Sequence, residues 1–172
     1  MLKEDLDGKE ILDIGTGSGC IAISLAKNSP NAKVSAIDIS EDALKVAREN
    51  AKLNNVDINF INADIFDYQT DKKYDVIVSN PPYVTESEKA LMKSNVLKYE
   101  PELALFVEDK DPLKYYEQII EYYQPSKSGK LFFEINSKFM QQIKNLLNNY
   151  EYRIMSFKLD SNNNYRFLFL EL

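Results

Sequence analysis

The chain has 172 residues, 44% of them hydrophobic and 28% charged, which is enough for one globular domain without metal or disulfide support. It has no histidine and one cysteine, so its composition excludes serine–histidine triads, histidine-ligated zinc and thiolate zinc clusters. A net charge of -6 disfavours nucleic acid as a substrate, because binding to phosphates relies on a basic surface that releases counterions.

Short apolar runs alternate with amphipathic stretches in the first third of the chain, the pattern of strands and helices in a mostly parallel sheet. It predicts a strand over residues 10–14, a helix over 18–28, a strand over 33–39 and a helix over 41–54. Ser40 is expected to cap the second helix. The side chains expected to lie on the sheet from this helix are Ala43, Val46, Ala47, Ala51 and Leu53.

The remaining elements continue the same alternation. The predicted strands are residues 57–62, 74–79, 130–135, 152–159 and 165–170, and the predicted helices are residues 112–123 and 139–148. The apolar run 74–79 is expected to be a central strand buried on both faces. Residues 160–164 form a polar segment short enough for an antiparallel hairpin. Seven strands result, with the last one reversed.

Three of the five glycines lie between the first predicted strand and the helix that follows it, at Gly15, Gly17 and Gly19. Glycine permits positive φ and removes the side chain that would keep a ligand from the backbone, although a tight turn alone also uses glycine. A dinucleotide fingerprint requires a further glycine at the position of Cys20, so the spacing is Gly-x-Gly-x-Gly. We expect Cys20 to be a small buried packing residue.

Two acidic residues follow the second and third predicted strands. Asp38 lies about 20 residues after the glycine loop, where nucleotide-binding sheets place a carboxylate that accepts hydrogen bonds from ribose hydroxyls. Asp64 is similarly placed to accept from an adenine amino group. The alternative for both residues is a solvated acid at a strand end.

The run Asp13-Ile14-Gly15-Thr16-Gly17-Ser18-Gly19 resembles the first motif of class I methyltransferases, and the resemblance extends over nearly the whole chain. It implies an α/β, Rossmann-like fold with a seven-stranded, mostly parallel sheet of order 3-2-1-4-5-7-6 and helices on both faces. It also implies S-adenosyl-L-methionine as cofactor, S-adenosyl-L-homocysteine as product, and no metal. The cofactor-binding residues that it implies are Asp13, Gly15, Thr16, Gly17, Ser18, Gly19, Asp38, Ile39, Asp64, Ile65 and Asn80.

The tetrapeptide Asn80-Pro81-Pro82-Tyr83 follows the fourth predicted strand and therefore belongs to the same edge of the sheet as the glycine loop. Each proline fixes its own φ and restricts the residue before it, so the segment is rigid. The Asn80 side-chain oxygen and the Pro81 carbonyl are suited to accept both hydrogens of a planar NH2 group, and Tyr83 offers a ring against its plane. We predict that these four residues are catalytic; the alternative is a proline-rich loop without a role.

Residues 79–84, together with Glu100-Pro101-x-x-Ala104-Leu105, resemble the HemK/PrmC family of peptide chain release factor glutamine methyltransferases. The resemblance implies methyl transfer to the side-chain amide of the glutamine in a release factor's Gly-Gly-Gln motif. It also makes Glu100 and Pro101 a wall of the glutamine pocket, where the alternative is a simple turn. Asp160 and Arg166 flank a polar stretch as the family's final hairpin does, whereas residues 134–136 depart from the family's Glu-x-Gly.

Two other functions stay open at this point: an amino-methyltransferase acting on adenine or guanine in DNA or RNA, and a non-catalytic module that binds S-adenosylmethionine. The HemK/PrmC family carries a helical N-terminal domain for substrate recognition, and only nine residues precede the first strand. We therefore expect residues 1–172 to form the catalytic domain alone. Short apolar runs and an acidic N-terminus predict no membrane span or signal peptide, hence a cytoplasmic protein, which we expect to be monomeric.

Overall fold

The computed structural model describes residues 5–92, 102–122 and 129–171, which form a central sheet with helices on both faces. The strands are β1 (Glu10–Ile14), β2 (Lys33–Asp38), β3 (Asn59–Asn62), β4 (Val76–Ser79), β5 (Val84–Thr85), β6 (Phe106–Val107), β7 (Lys130–Glu134), β8 (Ile154–Leu159) and β9 (Tyr165–Glu171). The α-helices are α1 (Cys20–Asn28), α2 (Glu41–Asn54), α3 (Glu102–Leu105), α4 (Lys114–Tyr122) and α5 (Met140–Leu147), and 3-10 turns span Glu86–Leu91 and Ser137–Phe139.

Seven of these strands form one sheet in the order β3-β2-β1-β4-β7-β9-β8. Counted by themselves, these seven strands have the predicted order 3-2-1-4-5-7-6, and β9 is antiparallel to both of its neighbours as predicted. The chain-order labels differ because β5 and β6 form a second, two-stranded sheet. That small sheet was not predicted, since each of its strands is only two residues long.

The two faces of the sheet pack into two separate hydrophobic clusters because successive residues of a strand point in opposite directions. Leu12 and Ile77 belong to the cluster that includes Ile119 of α4 and Ile143 of α5. The neighbouring Ile11 belongs instead to the cluster on the side of α1 and α2. All four residues of β4 are buried, which confirms the prediction of a central strand covered on both faces.

The second helix, α2, begins and ends as the sequence indicated. The Ser40 side chain accepts a hydrogen bond from the Ala43 backbone N–H at 3.2 Å, and Asn55 ends the helix at a φ of 55°. Its predicted buried face was partly wrong, since Val46 is 47% exposed and Leu53 79% exposed.

The residues of α2 that are buried against the sheet are Leu44, Ala47 and Ala51. Their spacing of three and four residues places them on one stripe of the helix, and Val46 and Leu53 lie on the opposite side. The large side chain of Leu44 therefore fixes the buried face. Among the helices in the described ranges, none is long and apolar enough to cross a membrane.

Candidate active site

The parallel strands bring the predicted site residues to one edge of the sheet. Since β1, β2, β3 and β4 run in the same direction, the segments that follow them meet at their carboxyl ends. These segments hold the glycine loop, Asp38, Asp64 and the tetrapeptide 80–83. Glu100 and Pro101, predicted to shape the substrate pocket, lie outside the described residues.

The glycine loop follows β1 in a left-handed backbone conformation, with φ values of +70°, +55° and +84° at Gly15, Gly17 and Gly19. A Cβ added at Gly17 would meet no atom within 4 Å, so this side of the loop is open to a ligand. A Cβ at Gly19 would lie 3.1 Å from the Ala47 Cβ and from the Ile23 Cδ1. Gly17 thus leaves the backbone accessible, while Gly19 allows α1 to pack closely on α2.

Asp13 lies beneath the loop and is only 1% exposed. Its Oδ2 accepts hydrogen bonds from the Thr16 hydroxyl at 2.7 Å and the Ala22 backbone N–H at 3.1 Å. Its Oδ1 has no hydrogen-bond partner among the residues that the structure describes. Burial raises the pKa of Asp13 to about 6, and the nearby Asp38 adds to this, while the Thr16 and Ala22 hydrogen bonds oppose it. The Asp13 carboxyl group therefore holds the loop from below.

Asp38 joins the end of β2 to the glycine loop. Its Oδ2 accepts from the Gly17 backbone N–H at 2.8 Å, and its Oδ1 accepts from the Ser40 backbone N–H at 2.9 Å. A carboxylate has about four acceptor positions, so about one position remains on each oxygen of Asp38. That number suits the two hydroxyls of a ribose.

The structure corrects the prediction for Cys20, which is exposed rather than buried. Cys20 is the first residue of α1, so its side chain lies at the open carboxyl edge, where the helix is not covered. Ser18, predicted to contact the cofactor, is exposed beside it, with 3.4 Å between its Oγ and the Cys20 Sγ. Both side chains therefore line the outer rim of the loop.

Two exposed apolar side chains lie at the strand ends near the loop: Ile39, 49% exposed, and Phe66, 41% exposed. Asp64 accepts a hydrogen bond from the Phe66 backbone N–H at 3.0 Å, and the Phe66 ring contacts the Tyr115 ring at 5.2 Å between centroids. Ile65 is 7% exposed, and its side chain packs into the core. Phe66 was missed from the sequence; the available signal was an aromatic residue in a polar loop, two positions after Asp64.

The tetrapeptide begins with an exposed Asn80 and a buried Pro81, followed by half-buried Pro82 and Tyr83. On its amino-terminal side, the Ser79 hydroxyl donates to the Ile14 carbonyl at 2.8 Å, which joins β4 to the start of the glycine loop. Within the described ranges, no hydrogen bond uses the Asn80 side chain or the Pro81 carbonyl. Both acceptors are therefore unpaired among the described residues.

Tyr83 is held from the far side by residues of β7, β9 and the loop after β7. Its hydroxyl donates to the Glu134 Oε1 at 2.7 Å and accepts from the Arg166 Nη1 at 3.4 Å. Its carbonyl accepts from the Asn136 side-chain amide at 3.3 Å. Burial, and then the Glu134 carboxylate, raise the pKa of Tyr83 to about 12, against the opposite effect of Arg166. The phenol is therefore neutral at physiological pH and already bonded within the protein.

Glu134 and Asn136 were noticed in the sequence only as a departure from a family pattern, and their contact with Tyr83 was missed. No spacing rule connects residues 51 and 53 positions apart across a sheet. Arg166 was noticed with Asp160, and the structure does bring these two together, with 3.5 Å between Nε and Oδ2.

Residues 1–105, which include the glycine loop and the tetrapeptide, match the family described as "Methyltransferase small domain". The chain belongs to this family.

This methyltransferase domain is similar to two curated relatives that are named release factor glutamine methyltransferase. It is 51% identical to the one from Bacteroides thetaiotaomicron over 157 residues, covering 89% of this chain and 56% of the relative. It is 50% identical to the one from Flavobacterium psychrophilum over 166 residues, covering 95% of this chain and 58% of the relative. The chain thus spans a little over half the length of each.

A solved methyltransferase from Pyrococcus furiosus is 21% identical to this methyltransferase domain and superposes with a TM-score of 0.65, over 98% of this chain and 77% of that one. This similarity concerns the fold alone. The chain therefore has the fold of that methyltransferase.

A cleft of about 620 Å³ lies at the opposite edge of the methyltransferase domain, where α1 and α2 end. Its lining includes Lys27, Lys33 and Asn54 and none of the predicted site residues. Two of its lysines, Lys33 and Lys72, are already paired with Glu10. Ligands of open α/β sheets bind at the carboxyl ends of the strands, so we place the active site at the glycine-loop edge.

Proposed function

We propose that this methyltransferase domain transfers the methyl group of S-adenosyl-L-methionine to the side-chain amide nitrogen of a release factor's Gly-Gly-Gln glutamine. The observation that carries this proposal is the pair of unused acceptors, the Asn80 side chain and the Pro81 carbonyl, beside the anchored ring of Tyr83. Two relatives about half identical to the chain and named for this activity support the choice of substrate.

The residues at the carboxyl edge fit the cofactor. We assign the open backbone of the loop 15–19 to its methionine part and the free acceptor positions of Asp38 to its ribose hydroxyls. The exposed side chains of Ile39 and Phe66 are assigned to the two faces of the adenine, with Asp64 accepting from its amino group. When bound, the cofactor supplies an electrophilic methyl group on a sulfonium.

The tetrapeptide addresses the main difficulty of this reaction, since an amide nitrogen is a poor nucleophile with a delocalised lone pair. In our proposal the Asn80 Oδ1 and the Pro81 carbonyl accept the two amide hydrogens, and the Tyr83 ring lies against the amide plane. This arrangement fixes the nitrogen and withdraws no electron density from it, so the contribution is mainly one of orientation. One of the two amide hydrogens is released as a proton after transfer, and it passes to water along the hydrogen bond that it makes, to either the Asn80 Oδ1 or the Pro81 carbonyl.

General base catalysis by a side chain is not part of this proposal. The chain has no histidine, and the pKa of Tyr83, raised to about 12, keeps its proton in place at physiological pH. Glu134 is occupied by the Tyr83 hydroxyl. Glu100 and Pro101 keep their proposed role as a wall of the glutamine pocket.

Transfer of labelled methyl groups tests the proposal. The domain is incubated with labelled S-adenosylmethionine and, in parallel, a purified release factor, the same factor with alanine in place of the Gly-Gly-Gln glutamine, DNA, and RNA. We expect label only in the intact release factor. Label only in nucleic acid would support the adenine or guanine amino-methyltransferase instead.

Calorimetry separates cofactor binding from turnover. We expect the domain to bind S-adenosylmethionine and Asp38→Ala to bind it about tenfold more weakly, because two hydrogen bonds to ribose are lost. If the domain binds S-adenosylmethionine but labels neither form of the release factor, nor DNA, nor RNA, a non-catalytic module is favoured. In this proposal the partner is a release factor, which the domain meets as a monomer in the cytoplasm.

A further inference from the structure

We propose that Glu134, Arg166 and Asn136 are positioning residues that fix the ring of Tyr83 against the substrate amide. This inference rests on the proposed function, because it concerns how the same tetrapeptide is oriented. None of the three residues belongs to the tetrapeptide or the glycine loop, and they come from β7, the loop after it, and β9.

The hydroxyl of Tyr83 is fixed by two partners of opposite charge. It donates to the Glu134 Oε1 at 2.7 Å and accepts from the Arg166 Nη1 at 3.4 Å, so both its donor and one acceptor position are used. The Arg166 guanidinium carbon also lies 6.0 Å from the centre of the Tyr83 ring. A ring whose tip is held in this way presents its face, and not its hydroxyl, to a ligand.

The backbone of Tyr83 is fixed separately by Asn136. The Asn136 side-chain NH2 donates to the Tyr83 carbonyl at 3.3 Å, and its Oδ1 accepts from the Lys138 backbone N–H at 3.0 Å. The side chain of Asn136 is therefore itself held at both ends. With its ring tip and its carbonyl both bonded to the same neighbouring strand end, Tyr83 has little freedom to rotate.

Glu134 and Arg166 are themselves held in place by the sheet and by the final hairpin. The Ile135 backbone N–H donates to the Arg166 carbonyl at 2.8 Å, which fixes β9 beside Glu134. Asp160 pairs with the Arg166 Nε at 3.5 Å, and its other oxygen accepts from the backbone N–H groups of Asn162 and Asn164 at 2.8 and 2.9 Å. The hairpin turn thus holds Arg166 towards Tyr83.

The segment after the tetrapeptide is fastened to the same loop. The Glu88 side chain accepts from the backbone N–H and the hydroxyl of Thr85, and it also pairs with the Lys138 Nζ at 3.5 Å. Residues 83–88 therefore contact the loop after β7 at two places, through Asn136 and through Lys138. A displacement of this loop moves Tyr83 relative to Asn80, which is fixed to β1 through Ser79.

Kinetics of four variants test the inference. We expect Glu134→Ala to lower kcat about tenfold to a hundredfold with an unchanged Kd for S-adenosylmethionine, because it misplaces the ring without touching the cofactor site. Glu134→Gln keeps an acceptor for the Tyr83 hydroxyl and should recover most of the rate. Tyr83→Phe should lower kcat as Glu134→Ala does, and the double variant should be no slower than either single variant.

The controls distinguish positioning from general destabilisation. Glu151 is an exposed carboxylate in a loop, and Glu151→Ala is expected to keep the wild-type kcat. Asn136→Asp keeps the acceptor for the Lys138 N–H but lacks the donor to the Tyr83 carbonyl, so it should lower kcat while circular dichroism stays unchanged. Undiminished turnover in Glu134→Ala, or equal loss in Glu134→Gln and Glu134→Ala, overturns the inference.

A spectroscopic measurement separates this inference from the proposed function. In protein carrying 13C at the tyrosine Cζ, the resonance of Tyr83 is the one among eleven that disappears in Tyr83→Phe. It should shift in Glu134→Ala and stay in place in Glu151→Ala. If the Tyr83 resonance does not shift in Glu134→Ala, Glu134 does not hold the Tyr83 hydroxyl, even if the domain is active. If the domain methylates no release factor, the proposed function is refuted. The Tyr83 resonance still shows in that case whether Glu134 holds the ring.

Discussion

The two halves of the active-site edge are held together in different ways. In the glycine-loop half, the Thr16 hydroxyl contacts Asp13 three residues away, and the Gly17 N–H contacts Asp38 21 residues away. In the tetrapeptide half, Tyr83 contacts Glu134, 51 residues away, and Arg166, 83 residues away. The glycine-loop half is thus built by one strand–helix–strand unit, whereas the tetrapeptide half depends on the far side of the sheet.

This difference suggests that the two halves serve different steps, cofactor binding and methyl transfer. The proposed cofactor site is a short, nearly local unit that needs only the strand ends and the loop between them. The tetrapeptide has a fixed internal conformation because of Pro81 and Pro82, but its orientation comes from strands added later in the chain. Substitutions in the first half should therefore affect cofactor binding, and those in the second half turnover.

The largest effect is expected for Asn80→Ala in the tetrapeptide half. It removes the acceptor and leaves a substrate N–H unpaired, which costs roughly 1–3 kcal/mol and weakens substrate binding about tenfold to a hundredfold. Because orientation is lost as well, the variant should be nearly inactive. Asn80→Asp retains an acceptor and should keep more activity than alanine. Steady-state methylation of a release factor by both variants measures the loss of activity, and circular dichroism checks the fold. A fully active Asn80→Ala would place the catalytic centre elsewhere.

The next effect concerns stability in the glycine-loop half and depends on pH. Because burial raises the pKa of Asp13 from 3.8 to about 6, its contribution to folding is fully present below pH 3.8 and is lost as the pH rises through 6. This change in pKa corresponds to about 3 kcal/mol. Asp13→Asn keeps an acceptor for Thr16 and does not ionise.

Denaturant unfolding of the wild type and Asp13→Asn between pH 4 and pH 7 measures this contribution. The wild type should lose roughly 2 kcal/mol relative to the variant over this range, because part of the contribution is already lost at pH 4 and all other carboxyl groups are common to both proteins. A constant difference between the two proteins would show that Asp13 ionises normally in the folded state.

The smallest effects separate two glycines of the same loop. Alanine at Gly17 or Gly19 must adopt a positive φ, which costs about 1–2 kcal/mol in each case. At Gly19 the new Cβ also lies 3.1 Å from the Ala47 Cβ, so Gly19→Ala should be the less stable variant by thermal unfolding.

Gly17→Ala should instead weaken S-adenosylmethionine binding, because its Cβ occupies the space left for the ligand. The matched control is Gly8→Ala, at a φ of +67° with no atom within 4 Å of the new Cβ and remote from the loop. It should match Gly17→Ala in stability and the wild type in cofactor affinity. Equal cofactor affinity in all three alanine variants would argue that the glycines serve only the turn.

The sequence by itself determined most of the fold. Apolar periodicity and turn residues located all seven strands of the main sheet, and the glycine loop and Ser40 cap were identified from local spacing. These features depend on contacts between residues close in sequence, or on the regular spacing of apolar side chains along one element. One error came where either side of a helix could face the sheet: Val46 and Leu53 fit a helical period as well as Leu44 does, and only the packing of α2 on the sheet selects among them.

The same distinction applies to the candidate site. Asn80, Pro81 and Tyr83 were predicted because the tetrapeptide follows a buried strand, and Asp38 because it ends the strand after the glycine loop. The anchoring of Tyr83 was not predictable, because hydrogen bonds at 2.7 to 3.4 Å between β7, β9 and the tetrapeptide depend on which strands become neighbours. Residue types and local spacing can be read from the sequence, but the distance between side chains on separate strands is set only when the sheet assembles.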